Sequence, residues 1–213
     1  MGEPIRDAAA VIAAREGRRG PEVLVLERSA ESRFLPGYVA FPGGATDAED
    51  TAHARRWFGS ADEAPRACAV RELLEEVGLA LTADGLRAVP GQRMEAIDAS
   101  PPSPGQLALV AHWIAPEQVP VRFDAHYFAV AAADGVEPTP DGHEAVAAWW
   151  ASPSSLLEDW AAGRRKLYWP TYYTMRALAA SAGVEELLAL DLATREPDED
   201  EVERLPRATF WQD

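Results

Sequence analysis

The chain has 213 residues, enough for one domain with a sizeable core and some decoration. Apolar residues make up 47% and the formal net charge is −15, which excludes a disordered chain and argues against nucleic acid, whose phosphate backbone needs a basic footprint. The single cysteine, Cys68, excludes an intramolecular disulfide; no apolar run reaches bilayer length and residues 1–20 carry no export signal, so no membrane partner is expected and a cytoplasmic location is the default.

Residues 7–14 and 22–27 alternate or run apolar at strand length, with a Gly- and Pro-bearing turn at 17–21, and read as a hairpin. Residues 28–36 form a polar loop. A short strand at 38–41 ends on Pro42-Gly43-Gly44. Residues 45–62, rich in Ala and Asp, read as an inserted loop. A helix starts at Glu63 or Ala64, with Pro65 in its first turn, where proline is favoured. Ala67, Val70, Leu74 and Val77 form its buried face, and Gly78 stands where a C-cap glycine belongs.

Residues 91–99 are polar and residues 101–104 form a stiff Pro-rich linker. The strongest strands are 106–115 and 122–132, rich in Val, Ile, Phe and Tyr, followed by a loop at 135–143 and a last strand at 145–151. Residues 152–162 and 171–182 read as helices, the first capped by Ser152 and the second following Pro170. Residues 184–193 extend the helical region. Residues 196–213 form an acidic, solvated C-terminal tail after a domain spanning 1–195. Strands before and after one central helix, with further helices at the end, fit a layered α/β domain.

The stretch from Arg71 to Leu79 concentrates the chemistry. In helical geometry Glu72 and Glu76 lie nearly in register, with Glu75 beside them. Three like charges on one patch repel, so an ordinary surface helix gains nothing from them. A hard divalent cation reverses the sign of that energy, because carboxylate oxygens are its preferred ligands. Metal together with substrate phosphate points to hydrolysis. Acidic triplets on helices are more often solvated faces; here the glycines, Glu63 and Arg71 around the triplet shift the balance.

The run from Glu63 through seven residues to Arg71-Glu72-Leu73-x-Glu75-Glu76-x-Gly78-Leu79 resembles the Nudix box of the Nudix (MutT-like) hydrolases. One departure is plain: Gly44 stands nineteen positions before Glu63, an insertion of thirteen residues relative to the family's spacing. Closure entropy rises slowly with loop length, so a surface loop can absorb the insertion. The resemblance implies an α/β/α sandwich with a mixed sheet. It implies an Mg²⁺- or Mn²⁺-dependent diphosphohydrolase acting on a small-molecule, nucleoside diphosphate-linked substrate. Glu72, Glu75, Glu76 and the carbonyl of Gly43 would hold the metal, one of the glutamates would act as base, and Arg71 would orient the carboxylates. Glu63 would serve the same network or help bind the metal. Glu144, ahead of the strand at 145, matches the extra carboxylate that several Nudix enzymes carry in a late loop. A homodimer is left open.

Leu24-Val25-Leu26-Glu27-Arg28-Ser29, then Arg33, Gly37 and Phe41-Pro42-Gly43-Gly44, is similar to the motif of coenzyme A diphosphatases. That resemblance makes Arg28 and Arg33 candidates to grip substrate phosphates and coenzyme A or an acyl-CoA the candidate substrate. The alternatives are an ADP-ribose or dinucleotide pyrophosphatase and, in a different class, a non-catalytic nucleotide-binding Nudix module. His53, His112 and His126 show no ligand spacing; His143, beside Glu144, could contribute, though single histidines are usually bystanders.

Overall fold

The computed structural model describes residues 5–115, 117 and 121–195. In chain order the elements are β1 (Arg6–Gly17), β2 (Gly20–Arg28), β3 (Tyr38–Ala40), β4 (Gly43–Ala45), α1 (Ala48–Phe58), α2 (Ala64–Val77), β5 (Leu79–Thr82), β6 (Gly85–Ala88) and α3 (Glu95–Asp98). They continue with β7 (Ala108–Ile114), β8 (Phe123–Ala131), β9 (Ala145–Ala151), α4 (Pro153–Ala161), β10 (Lys166–Leu167), α5 (Trp169–Leu178), α6 (Val184–Leu188) and β11 (Leu192–Arg195).

Among the described residues nine strands form one mixed sheet in the order β10-β3-β2-β1-β8-β7-β11, with β4 paired to β1 and β9 to β2. β1 runs antiparallel to β2 and parallel to β8, so the expected hairpin forms the centre of the sheet. Because successive side chains on a strand point to opposite faces, β1 and β2 feed two cores. Val11, Ala13, Leu24 and Leu26 pack with the buried side of α2 and with Trp57 of α1. Ile12, Ala14, Val23 and Val25 pack with Leu156 of α4, Met175 and Leu178 of α5 and Leu187 of α6. Helices therefore cover both faces of a mixed sheet, the α/β/α arrangement the sequence implies.

Two expectations are corrected. Residues 45–62 are not a loop. They hold the end of β4, the helix α1 and a single 3₁₀ turn at Ala61–Glu63. The cause is local: Asp47 and Asp50 form a reciprocal capping box, Arg55 and Arg56 sit in the last turn, and Gly59 closes the helix at φ 79°. Residues 184–193 are not continuously helical either. α6 ends at Leu188 and the chain turns into β11, which pairs in parallel with β7. The short strands β4, β5, β6 and β10 were not read from the sequence, nor was α3. The expected acidic tail at 196–213 lies outside the described residues.

Candidate active site

α2 is the platform. Its C-terminus is set by Gly78 at φ 67°, whose N–H reaches back to Leu73 and Leu74. Hydrophobic burial accounts for Ala67, Val70, Leu74 and Val77, but the helix also buries Arg71, Glu72 and Glu76. Charged groups at 7%, 9% and 3% exposure are costly unless something compensates them.

For Arg71 the compensation is visible. Its Nε and Nη2 donate to the two carboxylate oxygens of Asp50 at 2.8 and 2.9 Å, and its Nη1 donates to Glu72 Oε1 and Glu75 Oε2, both at 2.8 Å. Burial disfavours the guanidinium charge, but the Asp50 hydrogen bonds and the surrounding carboxylates outweigh that and raise its pKa. Arg71 thus bridges Glu72 and Glu75, and its anchor, Asp50, comes from α1. Asp50 is wholly buried and was not among the residues picked from the sequence. Its signal was its place in the Asp47–Asp50 capping box, which marks a helix start but not a partner on another helix.

Glu76 faces the glycine loop, where its Oε2 accepts the Gly43 N–H at 2.8 Å and its Oε1 lies 3.9 Å from Arg28 Nη1. Burial, with the Glu72 charge next, pushes the Glu76 carboxyl up to about 8, against the pull of the Gly43 amide and Arg28. Burial likewise pushes Glu72 up to about 7, with Arg71 pulling it down and Glu75 and Glu144 pushing it further. Both loop glycines are required by close approach. A Cβ on Gly44 would lie 2.7 Å from Glu72 Cδ, and one on Gly43 would lie 2.7 Å from the Cα of Ala10 in β1.

Glu144 reaches the cluster through a strapped loop. Thr139 N–H bonds the Val77 carbonyl and Asp141 N–H bonds the Glu76 carbonyl, tying the loop to the end of α2. The Asp141 carboxylate then accepts the N–H groups of His143, Glu144 and Ala145, an Asx-type turn that fixes the backbone under Glu144. The Glu144 carboxylate is exposed and, among the described residues, takes part in no hydrogen bond.

Glu72, Glu144, Gly43, Gly44, Arg28 and Arg71 line a cleft of about 400 Å³. Aromatic side chains line the same cleft, including Phe34, Tyr38, Trp113, Phe123, Tyr168 and Trp169. Arg28 is held in place by bonds to Phe34 O and Ser32 Oγ. Arg33 sits on the same loop, exposed and outside the cleft lining. Glu75 is half exposed and directed to Arg71. Glu63 is not brought into the network: it pairs with Arg66 at the far end of α2. Cys68 is buried beside Arg71, and burial pushes its thiol up, so it packs without reactivity.

The donor set fits a hard cation. Four carboxylates, Glu72, Glu75, Glu76 and Glu144, gather around two guanidinium groups, of which Arg71 is already shared with Asp50. Two of the four, Glu72 and Glu76, are buried and raised in pKa by burial and by neighbouring carboxylates, so the cluster lacks positive charge and presents oxygen ligands, which suits Mg²⁺ or Mn²⁺. Glu72, Glu75 and Glu76 with Gly43 would hold such an ion.

A carboxylate-rich helix set against a glycine-bearing strand is the layout of a cation-assisted phosphoanhydride hydrolase. The family comparison agrees: residues 4–169 match the NUDIX domain, and the chain belongs to that family, whose enzymes act on acid anhydrides in phosphorus-containing compounds. A NUDIX hydrolase from Alicyclobacillus acidocaldarius superposes with a TM-score of 0.77 at 30% identity, over 89% of this chain and 98% of that one. An Ap4A hydrolase from Caenorhabditis elegans shares the fold at a TM-score of 0.51 and 15% identity, over 83% of this chain and 96% of that one. A putative nudix hydrolase 7 from Caenorhabditis elegans is 36% identical over 80 residues, which is 38% of this chain. The matched stretch spans only 24% of that relative's length. Among the described residues no helix is long and apolar enough to cross a membrane.

Proposed function

We propose that this chain hydrolyses the diphosphate bridge of a nucleotide derivative carrying an apolar group, with coenzyme A or an acyl-CoA as the substrate. The observation that carries the reading is the cleft itself, lined both by carboxylates, buried Glu72 and exposed Glu144, and by aromatic side chains. The glutamates would hold a divalent cation, which would supply neutralisation of charge developing on the phosphate oxygens.

The chain's own residues do the rest. Gly43 and Gly44 bring the backbone close enough for a phosphate to approach the cluster. Arg71, locked by Asp50, keeps Glu72 and Glu75 in a fixed orientation. Arg28 closes the cluster from the loop side, facing Glu76. Glu144 is the carboxylate we assign as base: it faces the cleft, its backbone is fixed by Asp141, and it can accept a proton from the attacking water as the phosphorus–oxygen bond to the leaving group breaks. Arg33, exposed beside the cleft, meets a peripheral phosphate. The aromatic walls receive the apolar or planar part of the substrate.

The test is product analysis over a panel of coenzyme A, acetyl-CoA, ADP-ribose and dinucleoside polyphosphates, with Mg²⁺ or Mn²⁺. Release of 3′,5′-ADP and a phosphopantetheine is the expected result. Turnover confined to ADP-ribose or dinucleotides would replace this substrate, and tight binding without product would make the protein a sensor rather than an enzyme.

A further inference from the structure

A second group of ligating side chains lies away from the glutamates, on the sheet. β7 and β8 are antiparallel neighbours, and their register sets His112 directly opposite His126. Asp124 is two residues along β8, so it shares the same face. One ring nitrogen of each histidine and one oxygen of Asp124 all lie within 4.8 Å of one another. The imidazole rings stack with centroids 4.2 Å apart, and His112 Nε2 contacts Asp124 Oδ1. We infer that His112, Asp124 and His126 form a site for a borderline transition-metal ion of the Zn²⁺ type.

Three observations support this beyond the clustering. The Nδ1 of His126 is buried and has no hydrogen-bond partner, and a buried imidazole nitrogen left without one is costly. The side chains of His112 and Asp124 remain 20% and 28% exposed, which leaves an ion a path from solvent. The donor chemistry is also distinct from that of the glutamates: two imidazoles and a carboxylate select zinc, cobalt or iron over magnesium.

The neighbours are mixed in sign. Asp7 on β1 pairs in register with Asp124 and adds negative charge. Arg66 on α2 adds positive charge, but its guanidinium is engaged by Glu63, by the Leu107 carbonyl and by the face of Phe128. Donors at zinc distance from a common ion stand about 3.4 Å apart, so small rotations of the rings close the group on an ion while the paired strands stay fixed. Three protein ligands leave one position open. Bound there, the ion would clip β7 to β8 across the sheet.

The experiment uses the full chain, stripped with chelator and held in excess Mg²⁺ so that the glutamates are already supplied. Zn²⁺ is titrated by calorimetry, and Co²⁺ is added separately as a spectroscopic probe. Wild type is expected to take one equivalent of Zn²⁺, to show a Co²⁺ visible spectrum with nitrogen ligation, and to melt at higher temperature with Zn²⁺. His126→Ala and His112→Gln should each weaken Zn²⁺ binding by about 100-fold and abolish the thermal shift. Glu76→Gln should leave both unchanged. Equal Zn²⁺ affinity in wild type and in the histidine variants would overturn the assignment. Should the variants fail to fold, a wild-type Co²⁺ spectrum without nitrogen ligation, or no bound equivalent, would do the same.

Discussion

Asp50 and Arg71 form a two-pronged buried ion pair that ties the inserted helix α1 to the site helix α2. The third arginine nitrogen then holds Glu72 and Glu75, so the orientation of two site carboxylates depends on a residue 21 positions upstream. Removing Asp50 strips the buried guanidinium of its two-pronged partner and leaves it Glu72 and Glu75 on one nitrogen. Asp50→Ala is therefore expected to lose about 3–5 kcal/mol in denaturant unfolding. Turnover should fall by about 10–100-fold at temperatures where the variant is still folded. A variant with normal turnover would show that Arg71 orients nothing.

That pair also marks where the sequence stops being readable. The 3.6-residue pattern of α2, its proline start and its glycine stop are local signals, so the positions of Arg71, Glu72, Glu75 and Glu76 follow from them directly. The β1–β2 hairpin and the apolar runs of β7, β8 and β9 are equally local. α1 is less apolar and lies in an Ala- and Asp-rich stretch, so only its capping residues announce it. Its function depends on a contact between two helices, which no spacing encodes. The meeting of His112 with His126 is likewise a matter of strand register, settled by the pairing of β7 with β8. Strands of two to four residues such as β10 and β6 are too short to show a period at all.

Glu76→Gln separates the cost of the charge from its use. Burial disfavours the Glu76 carboxylate, and its bond from the Gly43 N–H can be kept by an amide oxygen. The cation-free variant should therefore melt no lower than wild type. Turnover should fall by about 10²–10³-fold, because a cation ligand is lost. Thermal melting with chelator and steady-state kinetics check the two halves.

The raised pKa values of Glu72 and Glu76 give a pH signature. The folded chain holds protons on them up to about 7 and about 8, whereas the unfolded chain releases them near the ordinary carboxyl value of 4.5. Between those limits the folded state binds more protons, so this contribution to stability is fully present at low pH and is lost as pH rises through the folded values. The melting temperature of chelated protein should therefore carry a downward component from about pH 5 to about pH 8. Glu76→Gln should flatten that component, and saturating Mg²⁺ should remove it. An identical pH profile in wild type and Glu76→Gln would exclude a raised Glu76.

The two loop glycines are expected to fail differently. A Cβ at Gly44 meets the carboxylate end of the Glu72 side chain rather than backbone, so Gly44→Ala should fold while displacing that carboxylate from Arg71. A Cβ at Gly43 meets the β1 backbone, which cannot move aside without breaking strand pairing. Gly43→Ala should therefore cost about 1–3 kcal/mol of stability. Gly44→Ala should lose turnover with a stability change of less than about 1 kcal/mol. Unfolding curves run beside kinetics on both variants distinguish the two outcomes.

Arg33 tests the substrate. Its side chain is exposed, whereas Arg28 is already bound to Phe34 O, Ser32 and the vicinity of Glu76. A phosphate outside the cleft, such as the 3′-phosphate of coenzyme A, would meet Arg33 first. An exposed ion pair is worth up to about 1 kcal/mol, so Arg33→Ala should raise the KM for coenzyme A about five-fold with little change in kcat. Dephospho-CoA lacks that phosphate, and its KM should respond little to the same substitution. Equal effects on both substrates would place Arg33 on the diphosphate bridge instead, and no effect on either would remove it from the site.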